Sequence, residues 1–211
     1  MDTSRPISTV VPSLDGAVLT VLARTTQPLS GRRVHQLSRI GSETGVRRVL
    51  HRLSEAGLVE ATEAGASTMY TLNRNHVAAP AVLQLTNLRQ ILIERLRETI
   101  GQWALAPLHA SLFGSTARGD GDLASDVDIL LVHEDFAEPP PGWLDQVSDL
   151  AEHVMAWTGN HAQMYELGVS ELEEHFIAGE PIVQDWIRDA ITLAGPDFRQ
   201  FRNRAVHGSA R

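Results

Sequence analysis

The sequence predicts an α+β chain made of two modules, and three observations carry that expectation. Apolar residues recur at helical spacing from Leu14 to Leu53 and then give way to a short strand pair, whereas from Leu108 onward strand-like runs alternate with helical ones. Charge changes with the pattern: residues 1–100 hold 12 Arg against 8 acids, while residues 101–211 hold 6 Arg against 18 acids, within a chain of formal charge −8. A polar stretch, NRNHVAAP, separates the two regimes. The expected divisions are therefore residues 1–77, a connecting long helix over 78–104, and residues 105–211. At 211 residues and 43% hydrophobic content, the chain can fill a core in each part. Its charge asymmetry suits the first module to a polyanion and the second to cations.

In the first module, Leu14, Val18, Val21 and Leu22 form one helical stripe. Ser30 opens a second helix, SGRRVHQLSRI, with Val34, Leu37 and Ile40 on its apolar side, and Gly41 ends it. Ser42 caps a third, which turns Val46, Val49, Leu50 and Leu53 inward and stops at Gly57. Two short strands follow, Leu58 to Ala61 and Thr68 to Leu72. Three helices and a hairpin make a winged helix-turn-helix, similar to the MarR- or ArsR-like winged helices across residues 12–73. In such a fold the third helix enters the major groove of double-stranded DNA. It offers Ser42, Thr44, Arg47, Arg48, His51 and Arg52, with arginine suited to guanine edges and phosphates. The wing, EATEAGAST, carries two Glu and no Arg, which a DNA backbone would repel. Winged helices also serve as dimerisation or docking modules, so a homodimer is among the expected assemblies.

The connecting segment VLQLTNLRQILIERLRETIGQW carries one stripe of Leu85, Leu88, Leu92, Leu96, Ile100 and Trp103. Beyond it, LHASLF, VDILLV and AQMYEL read as strands, and LDQVSDLAEHVMAWTG as a helix after the Pro-rich loop EPPPGW. SELEEHFIAG and PIVQDWIRDAITLAG read as helices, each stopped by Gly, and the tail FRQFRNRAVHGSAR is polar and basic.

Chemistry concentrates in SLFGSTARGDGDLASDVDILLV. Gly114 lets backbone N–H groups approach a ligand, and Ser115 adds a hydroxyl at the start of a short helix. Asp126 and Asp128 are two apart in an otherwise apolar strand, so both carboxylates project from one face while Val127 and Ile129 take the other. Two like charges held together repel, and a divalent cation relieves them. Carboxylate and phosphate oxygens are the ligands that Mg²⁺ prefers.

The run Gly114-Ser115, ten residues, then Asp126-x-Asp128 resembles the GS-x10-DxD signature of the minimal nucleotidyltransferases, within the DNA polymerase β-like superfamily. GSTARGDGDLASDVDILLV is similar to that family nearly throughout, and the resemblance covers about residues 105–195. It implies a small mixed sheet flanked by helices. The donor would be Mg²⁺-NTP, with ATP first among nucleotides and Mn²⁺ as a substitute ion, and pyrophosphate would leave. Gly114 and Ser115 would hold the β/γ phosphates, and Asp126 and Asp128 the metal ions. Arg118 would contact phosphate, brace the loop, or pair with a nearby acid. The family also uses a third carboxylate on a neighbouring strand, for which Glu166 is the candidate; the alternative is an exposed strand-end residue.

Other chemistries are excluded by what the chain lacks. There is no cysteine, and every basic residue is Arg, so thiolate zinc sites, cysteine nucleophiles, Walker-type loops and lysine chemistry are ruled out. An EF-hand read from Asp120 fails, since Ala124, Ser125 and Leu131 stand where ligands or Gly are needed. The nine histidines form no HxxxH or HExxH set, and His109 and His133 read as structural or surface residues. Neither a signal peptide nor a membrane span is visible, so no membrane partner and a cytoplasmic location are expected. The expected function is transfer of a nucleoside monophosphate to an acceptor hydroxyl on protein, tRNA or a small molecule. The resemblance adds a toxin–antitoxin setting, with autoregulation through the winged helix. The alternative is a transcription regulator whose nucleotidyltransferase-like domain senses a nucleotide without turning it over.

Overall fold

The computed structural model describes residues 1–201; residues 202–211, most of the basic tail, lie outside the described residues. Contacts divide the chain into one unit of Ser4–Leu88 with Asp2, and another from Arg89 onward with Met1 and Thr3. The division falls inside the segment expected to be one connecting helix.

The first unit opens with a short 3-10 helix, Pro6–Thr9, followed by α1 (Leu14–Ala23), β1 (Leu29–Ser30), α2 (Gly31–Ser38) and α3 (Glu43–Glu55). It continues through β2 (Val59–Ala64), β3 (Ser67–Leu72) and α4 (Ala79–Thr86). Ser30 Oγ accepts from Arg33 N, and Ser42 Oγ accepts from Gly45 N, so each side chain satisfies an otherwise orphaned first-turn donor. Val18, Leu22, Val34, Val46 and Leu50 are fully buried at the centre of the three helices. Leu37 is 43% exposed, because α2 ends at Ser38 and turns through Arg39 at φ 56, burying Val34 alone. The strands form an antiparallel sheet of order β1-β3-β2, in which β2 and β3 meet at Ala64↔Ser67 around Gly65 at φ +60. The two-residue β1 is too short to leave a periodic signal.

The second unit runs α5 (Leu88–Gly101), β4 (His109–Phe113), α6 (Gly114–Arg118), β5 (Val127–His133), α7 (Trp143–Thr158) and β6 (Ala162–Gly168). Then come α8 (Val169–Ala178), α9 (Pro181–Asp189) and β7 (Ile191–Ala194). The sheet order is β6-β5-β4-β7, with β5 and β6 parallel across the α7 crossover and the other pairs antiparallel. Leu112, Ile129 and Leu131 project to one face and pack with Leu92, Ile93, Leu96 and Ile100 of α5 and with Leu150 and Val154 of α7. Phe113, Leu130, Val132 and Leu167 project to the other, against Leu172 of α8, Val183 and Trp186 of α9, and Phe198.

Two expectations are corrected. The single long helix is two, α4 and α5, parted at Asn87 (φ −108, ψ 11). Its stripe serves two cores: Leu85 packs, partly buried, against the first unit's core beside Ala79 and Val82, whereas Leu92, Leu96 and Ile100 are buried in the second. The segment ITLAG does not prolong α9. Ile191–Ala194 is a strand, in which a β-branched pair suits the edge beside β4 better than another helical turn would. No helix among the described residues is long and apolar enough to cross a membrane.

Leu131 is fully buried at the centre of β5. Leu131→Ala should lower stability by about 2–5 kcal/mol, read as a reduced urea midpoint with an unchanged slope.

Candidate functional site

The turn from β4 into α6 brings the backbone against the start of β5. Phe113 pairs with Asp128, and Gly114 follows at φ +68, a conformation that favours glycine. A β-carbon at 114 would overlap Asp128 Oδ2. Glycine thus admits both the turn and the carboxylate. Ser115 is the second residue of the one-turn helix α6, which closes with Gly119 N (2.9 Å) and Asp120 N (3.1 Å) both donating to Ser115 O. Arg89 of α5 donates Nε to Thr116 O at 2.7 Å and Nη2 to Ala117 O. Gly121 passes close to Ser115: a β-carbon there would lie 3.0 Å from Ser115 Oγ.

Asp126 is exposed just before β5, and Asp128 is half-buried on the same face, with Val127 and Ile129 turned into the core. The segment that delivers them is held by Asn160, a buried side chain whose Nδ2 donates to Ser125 O at 2.8 Å and reaches Asp122 O and Leu123 O at 3.4 Å. Burial first, and then the neighbouring Asp126 charge, push the Asp128 carboxyl up to about 6. Arg118 pulls it down, and Asp185 adds to the rise. The donor set suits a divalent ion, since two adjoining carboxylates hold excess negative charge. Among the described residues no group of three or more His, Asp or Glu gathers as a complete metal cage. The pair would therefore share an ion with phosphate oxygens and water, as Mg²⁺ ordinarily requires.

Glu166 does not join this pair. On β6 it pairs with Leu131, on the opposite sheet face, and its Oε2 accepts from Trp143 Nε1 at 2.9 Å. It also lies three residues along from the position beside Asp128, roughly 10 Å at strand spacing. That position is held by Gln163, which shares the face of Asp128. The period-2 rule excludes Glu166 once the register is known, but register cannot be read from β6 alone.

Arg118 is engaged by acids. Its Nε donates to Asp120 Oδ2 at 3.0 Å and its Nη1 to Asp189 Oδ2 at 2.6 Å. Asp189 also accepts from Arg188, at 2.7 Å from Nε and 2.8 Å from Nη2. These bonds, Arg188's first, hold its carboxyl below the ordinary value against the opposing effect of burial. His109 is buried beside Phe198 and Phe201 with Nδ1 donating to Pro196 O at 2.9 Å, and burial lowers its proton affinity. His133 stacks on Phe136 at 4.2 Å and donates to Glu134 O.

In the first unit, Ser42 caps α3, and Thr44, Arg47, Arg48, His51 and Arg52 are exposed along it. Three of them have acidic partners: Arg47 with Glu43 (2.7 Å), His51 with Glu55 (3.3 Å), and Arg52 with Asp15. Sequence reasoning missed Arg89, Asn160, Gln163 and Asp189. Only Asn160 leaves a local trace, following the Gly159 that ends α7.

The raised carboxyl of Asp128 fixes a sign. Its proton affinity is higher in the folded state than in the unfolded chain, so its neutral form favours folding below about pH 4. That advantage is lost as pH rises through about 6. Asp128→Asn should therefore stabilise the metal-free protein at pH 7.5, by on the order of 1–2 kcal/mol once solvent screening is allowed for. Mg²⁺ should raise the melting temperature of the unsubstituted protein at pH 7.5, less so below pH 6, and not at all in Asp128→Asn. Thermal melts across pH, with and without Mg²⁺, measure all three.

A search of curated proteins finds no match to the chain. Residues 92–178, which hold the Gly114-Ser115 turn and the Asp126/Asp128 pair, match the nucleotidyltransferase domain family.

Proposed function

We propose that the second unit binds a nucleoside triphosphate with Mg²⁺ at the Asp126/Asp128 face and transfers its nucleoside monophosphate to an acceptor hydroxyl. The observation that carries this reading is the packing of Gly114 on Asp128. It brings a turn able to present N–H groups to phosphate against the carboxylate of an acidic pair. The match of residues 92–178 to the nucleotidyltransferase domain supports nucleotidyl transfer in general. In the reaction the acceptor hydroxyl gives up its proton to solvent water and its oxygen bonds to the α-phosphorus, as the bond from that phosphorus to the bridging oxygen of pyrophosphate breaks. Asp126 and Asp128 would hold the ion, which, when bound, supplies charge neutralisation for the phosphates and the departing pyrophosphate. Gly114 and Ser115 orient the phosphates. Mn²⁺ is expected to substitute for Mg²⁺, and ATP is the first donor to test.

A second reading is favoured by one observation. Glu166 faces Trp143, and the strand position beside Asp128 is Gln163, which cannot accept the hydroxyl proton as a carboxylate would. On that reading the domain binds the nucleotide as a signal without turnover. Labelled nucleoside triphosphates incubated with Mg²⁺ and cell extract separate the two. Transfer should appear on protein or RNA and vanish in Asp126→Ala/Asp128→Ala. Binding by calorimetry without label transfer or pyrophosphate release under any condition leaves the signal reading.

The first unit is proposed to bind double-stranded DNA as a winged helix, with α3 in the major groove. Support comes from the exposed row of Thr44, Arg47, Arg48, His51 and Arg52, and from three helices followed by a hairpin. Glu60 and Glu63 lie exposed on β2, so backbone attraction comes from the helix rather than the hairpin. Arg47→Ala/Arg48→Ala should weaken binding to a duplex of the protein's own promoter and reduce the slope of log affinity against log salt by about 2. Gel-shift titration at several salt concentrations tests this, and unchanged affinity removes it.

A further inference from the structure

The arginine that follows the Gly114-Ser115 turn is bound by two acids of different character. Asp120 is an exposed partner, its side chain 60% accessible, two residues along the chain from Arg118 and just after Gly119 at φ +75. Asp189 is a buried partner, its side chain 2% accessible, at the end of α9. An exposed ion pair contributes little and is screened, whereas a short charge-assisted bond to a buried carboxylate is strong. Asp189 is, moreover, fixed independently of Arg118. Arg188 donates to both of its oxygens, and Asp185 accepts from Arg188 Nη2 at 2.6 Å. One guanidinium edge of Arg118 is thus anchored, while its Nε edge is covered by a weakly held surface acid.

Arg118 sits three residues after Ser115, at the end of the single turn α6, so it projects from the same side of that turn. A triphosphate held at Ser115 would carry several negative oxygens into the same neighbourhood and compete with Asp120 for Nε.

We infer that Asp189 is a positioning residue for the nucleotide site and that Asp120 is a displaceable cover. Asp189 holds Arg118 by Nη1 while a triphosphate oxygen replaces Asp120 at Nε. The anchored guanidinium loses little further freedom on binding, which favours affinity. This inference rests on the nucleotide-binding reading given above, and it assigns opposite roles to two acids that both touch one arginine.

The test is calorimetric titration of the full chain with Mg²⁺-ATP and with Mg²⁺-tripolyphosphate. Asp120→Ala should bind both about two- to fivefold more tightly. Asp189→Asn should bind both at least about tenfold more weakly, and Asp189→Glu should recover part of the loss. In an Arg118→Ala background, where Asp189 keeps its bonds to Arg188, Asp120→Ala should bring no gain. A merely structural Asp189 would lower the melting temperature but leave the Asp120→Ala gain intact when Asp189→Asn is added; an acting anchor makes that gain collapse. Unchanged or weaker binding by Asp120→Ala, or the same gain without Arg118, overturns the inference while leaving nucleotide binding in place. If the unsubstituted protein binds neither probe, the nucleotide-binding reading falls and the inference falls with it.

Discussion

The carboxylate of Asp128 occupies the space that a β-carbon at residue 114 would need, and most of the second unit's design follows from that contact. It requires glycine at the exit of β4, and a left-handed turn there sends the chain into α6 at once. It also requires β4 and β5 to be antiparallel neighbours in a register that sets Phe113 opposite Asp128. Shifting that register by one residue would turn Asp128 into the apolar layer beneath α5 and α7 and bring Val127 to the site. Ile129 and Leu131 on one face and Leu130 and Val132 on the other are all fully buried, so what opposes such a slip is the cost of carrying the Asp128 carboxylate into an apolar layer. Core packing and site geometry are in this sense one constraint.

The strong elements were legible because their signals are local. Ser30 and Ser42 announce helix starts, Gly57 a stop, the apolar run in VDILLV gives the strand, and the two-residue spacing of Asp126 and Asp128 puts both on one face. Where meaning depended on a partner far along the chain, the sequence misled. The stripe from Leu85 to Trp103 looks continuous because leucine serves two cores equally well, and periodicity does not reveal that Asn87 divides them. ITLAG reads as the end of a helix until β4 is there to pair with it. Glu166 looked like the third carboxylate because it is the sole acid in its strand, but its face is set by the pairing of β6 with β5.

The supporting residues share a different kind of invisibility. Arg89 reaches the carbonyls of Thr116 and Ala117, Asn160 gathers those of Asp122, Leu123 and Ser125, and Asp189 binds Arg118 across 71 positions. Each stabilises backbone or charge in the loop between β4 and β5, and each comes from a different helix end. An active loop rich in glycine gives up conformational order, and these side chains restore it from outside.

The placement of β7 has a consequence for the order in which the unit is made. β4 needs Ile191–Ala194 to complete its outer edge, and Arg118 needs Asp189, yet both arrive after some seventy to eighty further residues have been synthesised. A chain emerging from the ribosome will therefore display the glycine turn and the acidic strand well before the pieces that lock them. The last closure spans a long loop, the kind of contact that folds slowly. Until it occurs, the exposed rim of β4 is a temporary template for unwanted strand pairing.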